Sequence, residues 1–188
     1  MKRIVVFASG SGTNAQNIIE YFQKSDFAEV TLVLSNKKNA KVLERAKKLN
    51  VSSFAFTKED LYELDIIAPI LRNETPDIIV LAGFLLKFPE AILNEFSNKV
   101  INIHPALLPK YGGKGMYGSR VHKAVIENNE SDTGITIHYI NENYDEGAII
   151  FQEKVAVLEN DTADSIAEKV HKLEYEFFPK VIEEILKK

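Results

Sequence analysis

The sequence predicts an α/β fold: an open, mostly parallel twisted sheet with helices on both faces and an antiparallel C-terminal strand pair. Three observations predict it. Short apolar runs of strand length recur through the first hundred residues. Segments of helical period separate them. Past residue 130 the pattern changes to two strand-like runs joined by a short turn. Continuous apolar runs mean strands buried on both faces, which a parallel sheet covered by helices provides.

The elements follow in order. Residues 3–8 (RIVVFA) form the first strand. Residues 29–35, 51–56, 77–82 and 99–103 are similar runs. Helical patterns lie between them, one from about 14 to 23 and one from 40 to 49. A third helix is expected from Leu61, Leu64, Ala68 and Leu71, which share a face at helical spacing. Residues 133–141 and 148–157 are joined through Tyr144, Asp145, Glu146 and Gly147, a link short enough for antiparallel neighbours. The last helix is expected to start near Thr162, with Asp164 in its first turn. Its stripe is Ile166, Val170, Leu173, Phe177 and Val181, and Pro179 is expected to kink it.

Composition bounds the function. The 188 residues fit one domain, residues 1–188, and 45% of them are hydrophobic, enough for a full core. Lys plus Arg total 23 against 27 Asp plus Glu, a formal charge of −4, which argues against nucleic acid as a partner. The absence of cysteine excludes disulfides, thiolate metal sites and a cysteine nucleophile. No apolar run reaches the ~18 residues that span a bilayer, and Met1, Lys2 and Arg3 lead straight into a strand-like run. The expectation is a cytoplasmic protein with no membrane partner. Much of the remaining chemistry falls to four histidines, His104, His122, His138 and His171.

In open α/β sheets the ligand sits outside the carboxyl ends of the parallel strands. Residues 9–14, 83–88, 102–109 and 144–147 each follow a predicted strand. The first segment reads S-G-S-G-T-N. Two glycines let successive N–H groups converge, and the helix N-terminus behind them adds positive potential, so the turn suits a phosphate. Ala15 stands where the dinucleotide fingerprint would place its third glycine, and no Gly-Lys-Ser/Thr follows as in a Walker loop. An ordinary strand-to-helix turn capped by Thr13 or Asn14 is the alternative.

Asn102 and His104 are two apart at a strand end, so they share one side of it. A carboxamide and an imidazole there can both donate to one developing oxyanion. Asp145 sits in a tight turn, where aspartate is common for structural reasons alone. Its functional alternative is a carboxylate that pairs with His104 and favours the imidazolium, and the sequence separation of 41 does not decide between them. His138 fits a half-buried position behind the site. His122 is expected at the surface. His171 and Glu174 share a helix face that reads as polar. No spacing suggests a metal site.

At these residues the chain resembles the phosphoribosylglycinamide formyltransferases, folate-dependent enzymes of purine synthesis. The resemblance runs through SGSGTN, VLAGF at 80–84, INIHPALLPKY at 101–111, GITIHYI at 134–140 and DEGAIIFQ at 145–152. It implies a Rossmann-related, formyltransferase-like fold. It implies transfer of a formyl group from 10-formyltetrahydrofolate, as co-substrate, to glycinamide ribonucleotide, by a monomer or homodimer without metal. Asn102, His104 and Asp145 match the catalytic trio, and His138 supports them from behind. Gly12, Thr13 and Asn14 match the substrate phosphate turn. His171, Lys172, Leu173 and Glu174 match the helix segment that contacts the ribonucleotide. Leu85, Leu86, Lys87 and Phe88 match the loop around the pterin, with Asn102, Asn141 and Tyr144 on its other side and Lys58 near the folate tail.

Two departures stand out. Leu86, Lys87 and Phe88 occupy positions where many members carry Arg-Ile-Leu. Residues 111–119 (YGGKGMYGS) are longer and richer in glycine than the usual linker. Methionyl-tRNA formyltransferase carries an added C-terminal domain and a basic surface, and the deformylase an extra N-terminal domain; neither is expected here. A sugar-nucleotide formyltransferase would not explain the phosphate turn. A non-catalytic phosphate-binding domain would need none of the trio.

Overall fold

The computed structural model describes residues 1–188 apart from Leu64 and Tyr144. Strands β1 (Lys2–Phe7), β2 (Ala28–Ser35), β3 (Ser52–Ala55), β4 (Ile78–Leu81), β5 (Val100–His104), β6 (Asp132–Tyr139) and β7 (Ile149–Ala156) form one sheet in the order β3-β2-β1-β4-β5-β6-β7. Pairing is parallel from β3 through β5 and antiparallel for β5–β6 and β6–β7. The expected sheet is therefore present, with bounds within two residues of the sequence reading.

Side-chain alternation along β1 divides the core. Ile4 and Val6 join a cluster with Ile18, Phe22, Val170 and Phe178 on one face. Val5 and Phe7 join Leu34, Phe56, Leu71 and Ile92 on the other. Helices α1 (Thr13–Phe22), α2 (Lys41–Lys48), α6 (Ser119–Glu127) and α7 (Ala163–Leu186) supply the first face. Helices α3 (Lys58–Tyr62), α4 (Ile67–Glu74) and α5 (Glu90–Glu95) supply the second.

Two elements differ from expectation. The single third helix is two, α3 and α4. A capping box starts α3 early: Thr57 Oγ1 accepts the Asp60 N–H at 3.1 Å, and the Asp60 carboxylate accepts the Thr57 N–H at 2.6 Å. Asp65 then takes a left-handed φ of 45°, which breaks the helical path. Leu64, on the expected stripe, lies outside the described residues. The short α5 follows Pro89 and buries Ile92 and Leu93; six residues are too few to show a period.

Helix α7 starts as expected, with Thr162 as N-cap in a second capping box with Ser165. It continues through the buried Pro179 to Leu186. Among the described residues no helix is long and apolar enough to cross a membrane.

The chain runs outward from β1 through β2 to β3, then returns to place β4 on the other side of β1. That reversal opens a crevice at the carboxyl ends of β1 and β4. The antiparallel β6 lies against β5 with Asn102 opposite His138 and His104 opposite Thr136. Thr136 is fully buried and fixes the chain after β5: its hydroxyl donates to Ala106 O at 2.7 Å and accepts the Leu108 N–H at 3.0 Å.

Candidate active site

A cleft of about 630 Å³ opens at this edge. Its walls are the turn 10–14, residues 82–85, the end of β5, the segment 113–118, Arg120 and His122 of α6, Asp145, and His171 and Glu174 of α7.

The glycine turn is held at both ends. The Ser9 N–H donates to Gly83 O at 3.0 Å, and the Ser9 hydroxyl donates to Asn36 Oδ1 at 2.6 Å while accepting the Leu85 N–H at 2.9 Å. Arg45 Nε donates to Ser11 O at 2.8 Å, and its guanidinium also reaches Gln16 Oε1. Gly12 caps α1 with φ 73° and no side-chain bond, in place of Thr13 or Asn14. That left-handed conformation favours glycine. A Cβ there would also overlap Val42. The first N–H groups of α1 have no partner within the helix, as at any helix start, and the turn leaves them by the cleft.

Asn14 points across to α7, where its Nδ2 donates to Glu174 Oε2 at 2.9 Å. Asn14 Oδ1 is buried and meets no partner among the described residues. Glu174 is 5% exposed, so the helix face read as polar is buried at this position. Burial pushes its carboxyl pKa up, against the Asn14 bond and the nearby His171. His171 Nε2 lies 3.9 Å from the same carboxylate oxygen.

The trio converges. Asp145 Oδ2 lies 3.6 Å from His104 Nδ1, and Oδ1 lies 3.6 Å from His138 Nε2. His138 is fully buried rather than half-buried, and burial lowers its pKa. Its Nδ1 donates to Tyr139 O at 2.9 Å, which leaves Nε2 to accept from Asn102 Nδ2 at 3.1 Å. Neutral His138 therefore orients Asn102, and the second N–H of that amide meets no acceptor among the described residues. His104 Nε2 donates to Tyr111 O at 2.7 Å. Tyr111 and Asp145 both take left-handed backbone, φ 58° and 56°. The Gly113 N–H donates to Asp145 Oδ2 at 2.9 Å, so the glycine-rich segment is tied to the carboxylate.

The other expected residues divide between the cleft and its surroundings. Leu85 lines the cleft and is 42% exposed. Leu86 packs against the second core cluster, and Lys87 is exposed, its carbonyl accepting the Tyr62 hydroxyl. Phe88 is buried edge-on against Phe7 at 5.2 Å because an aromatic here completes the core beneath the loop. Lys58 opens α3, with its ammonium 6.0 Å from the Tyr62 ring centre, away from the cleft walls. Lys172 is exposed and Leu173 packs on the core, since their helix faces turn away from the cleft. Asn141 accepts the Asn143 N–H in a local turn. Tyr144 lies outside the described residues.

Sequence reasoning missed Phe84, Arg120 and the placement of His122. His122 is 3% exposed, not at the surface. The signal was present: Val121, His122 and Val125 form the buried side of α6. Burial holds the His122 imidazole at a pKa of about 4, and the nearby His171 and His104 act in the same direction. Among the described residues no group of three or more His, Asp or Glu could hold a metal ion.

Comparison with known proteins bears on this arrangement. A family model described as formyl transferase matches residues 2–182. The phosphoribosylglycinamide formyltransferase of Bacillus subtilis is 35% identical over 99% of this chain and 95% of its own length. A chloroplastic enzyme of the same name from Arabidopsis thaliana is 38% identical, and the chain spans 67% of its length. The chain also matches 13% of a trifunctional purine biosynthetic protein, adenosine-3, from Chironomus tentans. The crystal structure of glycinamide ribonucleotide transformylase 1 from Geobacillus kaustophilus superposes with a TM-score of 0.89 at 34% identity, covering 99% of each chain. A match along nearly the whole chain, in both sequence and structure, makes this protein a member of the formyl transferase family and, within it, of the phosphoribosylglycinamide formyltransferases.

Proposed function

We propose that the chain transfers the formyl group of 10-formyltetrahydrofolate to the amine of glycinamide ribonucleotide, with the residues of this cleft in defined roles. One observation carries the assignment: Asn102, His104 and Asp145, with Asp145 3.6 Å from His104, line the same cleft as the glycine turn of α1.

The ribonucleotide phosphate takes the turn at Gly12, Thr13 and Asn14, where N–H groups and the helix start favour an anion. Glu174, reached by Asn14, faces the sugar. This orients the amine toward the formyl carbon, which the folate presents from the Phe84 and Leu85 side. Attack gives a tetrahedral carbon with a negative oxygen. The free N–H of Asn102 and the Nε2–H of His104 donate to that oxygen. The Tyr111 carbonyl, 2.7 Å from Nε2, marks a position suited to an oxygen acceptor, and the formyl oxygen replaces it there. Asp145 balances charge on the imidazole. Each such donor is typically worth ~3–4 kcal/mol in the transition state. The attacking nitrogen gives up a proton and the departing folate nitrogen gains one; His104, or a water held by Asp145, carries it. No bond to the enzyme forms.

Residues 1–188 act as one domain in this reading, supported by the single sheet and by the family match over 2–182. Similarity to the Bacillus subtilis enzyme supports action in the cytoplasm. The test is a formyl-transfer assay with both substrates and with each omitted in turn. Turnover that requires both supports the proposal. Turnover without glycinamide ribonucleotide indicates a deformylase and overturns it.

A further inference from the structure

His122 projects from α6 into the wall of the cleft and is 3% exposed. Its Nδ1 is fully buried and meets no donor or acceptor among the described residues. Stranding a ring nitrogen in this way is costly, and an apolar side chain would pack on the same helix face without it. Since Nδ1 is enclosed, the atom that His122 can offer to the cleft is Nε2. His171 and His104 line the same cleft and lie near enough to act on the His122 ring. On the function proposed above, His171 stands on the ribonucleotide side and His104 at the reacting carbon, and His122 lines the same cleft as both. Its depressed pKa keeps the ring uncharged near neutrality. An uncharged imidazole matches a hydroxyl or an amide, and gains little from a phosphate or carboxylate.

We propose that His122 is a substrate-binding residue for glycinamide ribonucleotide, its Nε2 hydrogen-bonding to an uncharged hydroxyl or amide of the substrate between the phosphate and the reacting amine. The inference rests on the function proposed above and names a contact within it. His122 takes no part in proton transfer in this scheme. Its loss therefore weakens binding of one substrate and leaves the chemical step largely in place.

The experiment compares His122→Leu with His122→Gln, whose amide reaches toward the position of Nε2. KM is measured for each substrate with the other saturating. His122→Leu raises the KM for glycinamide ribonucleotide about tenfold, the size expected for one hydrogen bond. It leaves the folate KM within about twofold, and His122→Gln recovers most of the loss. Equal rises for both substrates, or no rise for either, overturn the proposal. A second measurement uses the unaltered protein, so it stands even where a variant fails to fold. In protein carrying ¹⁵N-labelled histidine, glycinamide ribonucleotide shifts the His122 ring-nitrogen signals and a non-reactive folate analogue alone does not. Absence of that shift also overturns it. Wild-type turnover with both substrates separates the two claims: if it fails, the broader function fails, and if it holds while His122 shows neither effect, only this inference falls.

Discussion

Asp145 Oδ2 stands 3.6 Å from His104 Nδ1, and the same oxygen accepts the Gly113 N–H at 2.9 Å. One carboxylate thus faces the imidazole and anchors the glycine-rich segment. Asp145→Asn keeps the shape and removes the charge. The expected result is a fall in kcat of about 10²–10³-fold, with both KM values within about threefold and an unchanged circular dichroism spectrum. Asp145→Ala also frees Gly113, so limited proteolysis should cut within 111–118 faster than in Asp145→Asn. A kcat near wild type in either variant would remove Asp145 from the mechanism.

Gly12 has two separate demands on it, a φ of 73° and the closeness of Val42. Gly12→Ala strains the backbone and overlaps that neighbour, which together cost about 1–3 kcal/mol in denaturant unfolding. The turn also loses its shape for phosphate. Calorimetry should show much weaker binding of glycinamide ribonucleotide, with folate binding preserved. Equal losses for both ligands would point to general misfolding.

Glu174 carries a raised pKa because it is buried. A carboxyl whose folded pKa exceeds its ordinary value of 4.5 binds its proton more tightly when folded, so its contribution to stability falls as pH rises through that window. Glu174→Gln can still accept from Asn14 and carries no charge. The variant should therefore gain stability on wild type as pH rises from 4.5, by chemical denaturation at a series of pH values. Its KM for glycinamide ribonucleotide should rise while the folate KM holds. A stability difference that does not vary with pH would show that burial of Glu174 does not control its ionisation.

His122 has the opposite sign. Its folded pKa of about 4 lies below the ordinary 6.5, so between these values the unfolded chain takes up a proton that the folded protein refuses. Stability is lost as pH falls through that window. His122→Gln has no such proton to take up. Its stability relative to wild type should improve steadily from pH 6.5 to about 4, measured by thermal unfolding in matched buffers. Parallel pH profiles for the two proteins would contradict a neutral buried imidazole.

The sheet was legible because its strands are continuous apolar runs, as burial on both faces requires. Asn102 and His104 were legible as a pair for a local reason: strand alternation puts them on one side. Their meeting with Asp145 was not, since it depends on β6 doubling back antiparallel and on a left-handed turn beyond it. Resemblance to a family, and not periodicity, linked those residues. The burial of Phe88 was not legible, because an aromatic next to a binding loop reads the same whether it faces the ligand or the core. His122 was obscured by the glycine-rich segment before it, although its apolar neighbours on α6 marked the buried face. Lys172 and Leu173 were carried along with Glu174 as a block, whereas a helix shows the cleft only one of its faces.

The hydrogen bond from Asn14 to Glu174 joins positions 160 apart in the chain. A nascent chain that has only reached β5 already carries the glycine turn and the Asn102–His104 pair, yet it has no wall opposite them. The cleft wall formed by His171 and Glu174 comes from α7, the last helix, which packs against α1. On the proposed function, a polypeptide clipped before α7 would keep the glycine turn and lose the Glu174 wall that faces it.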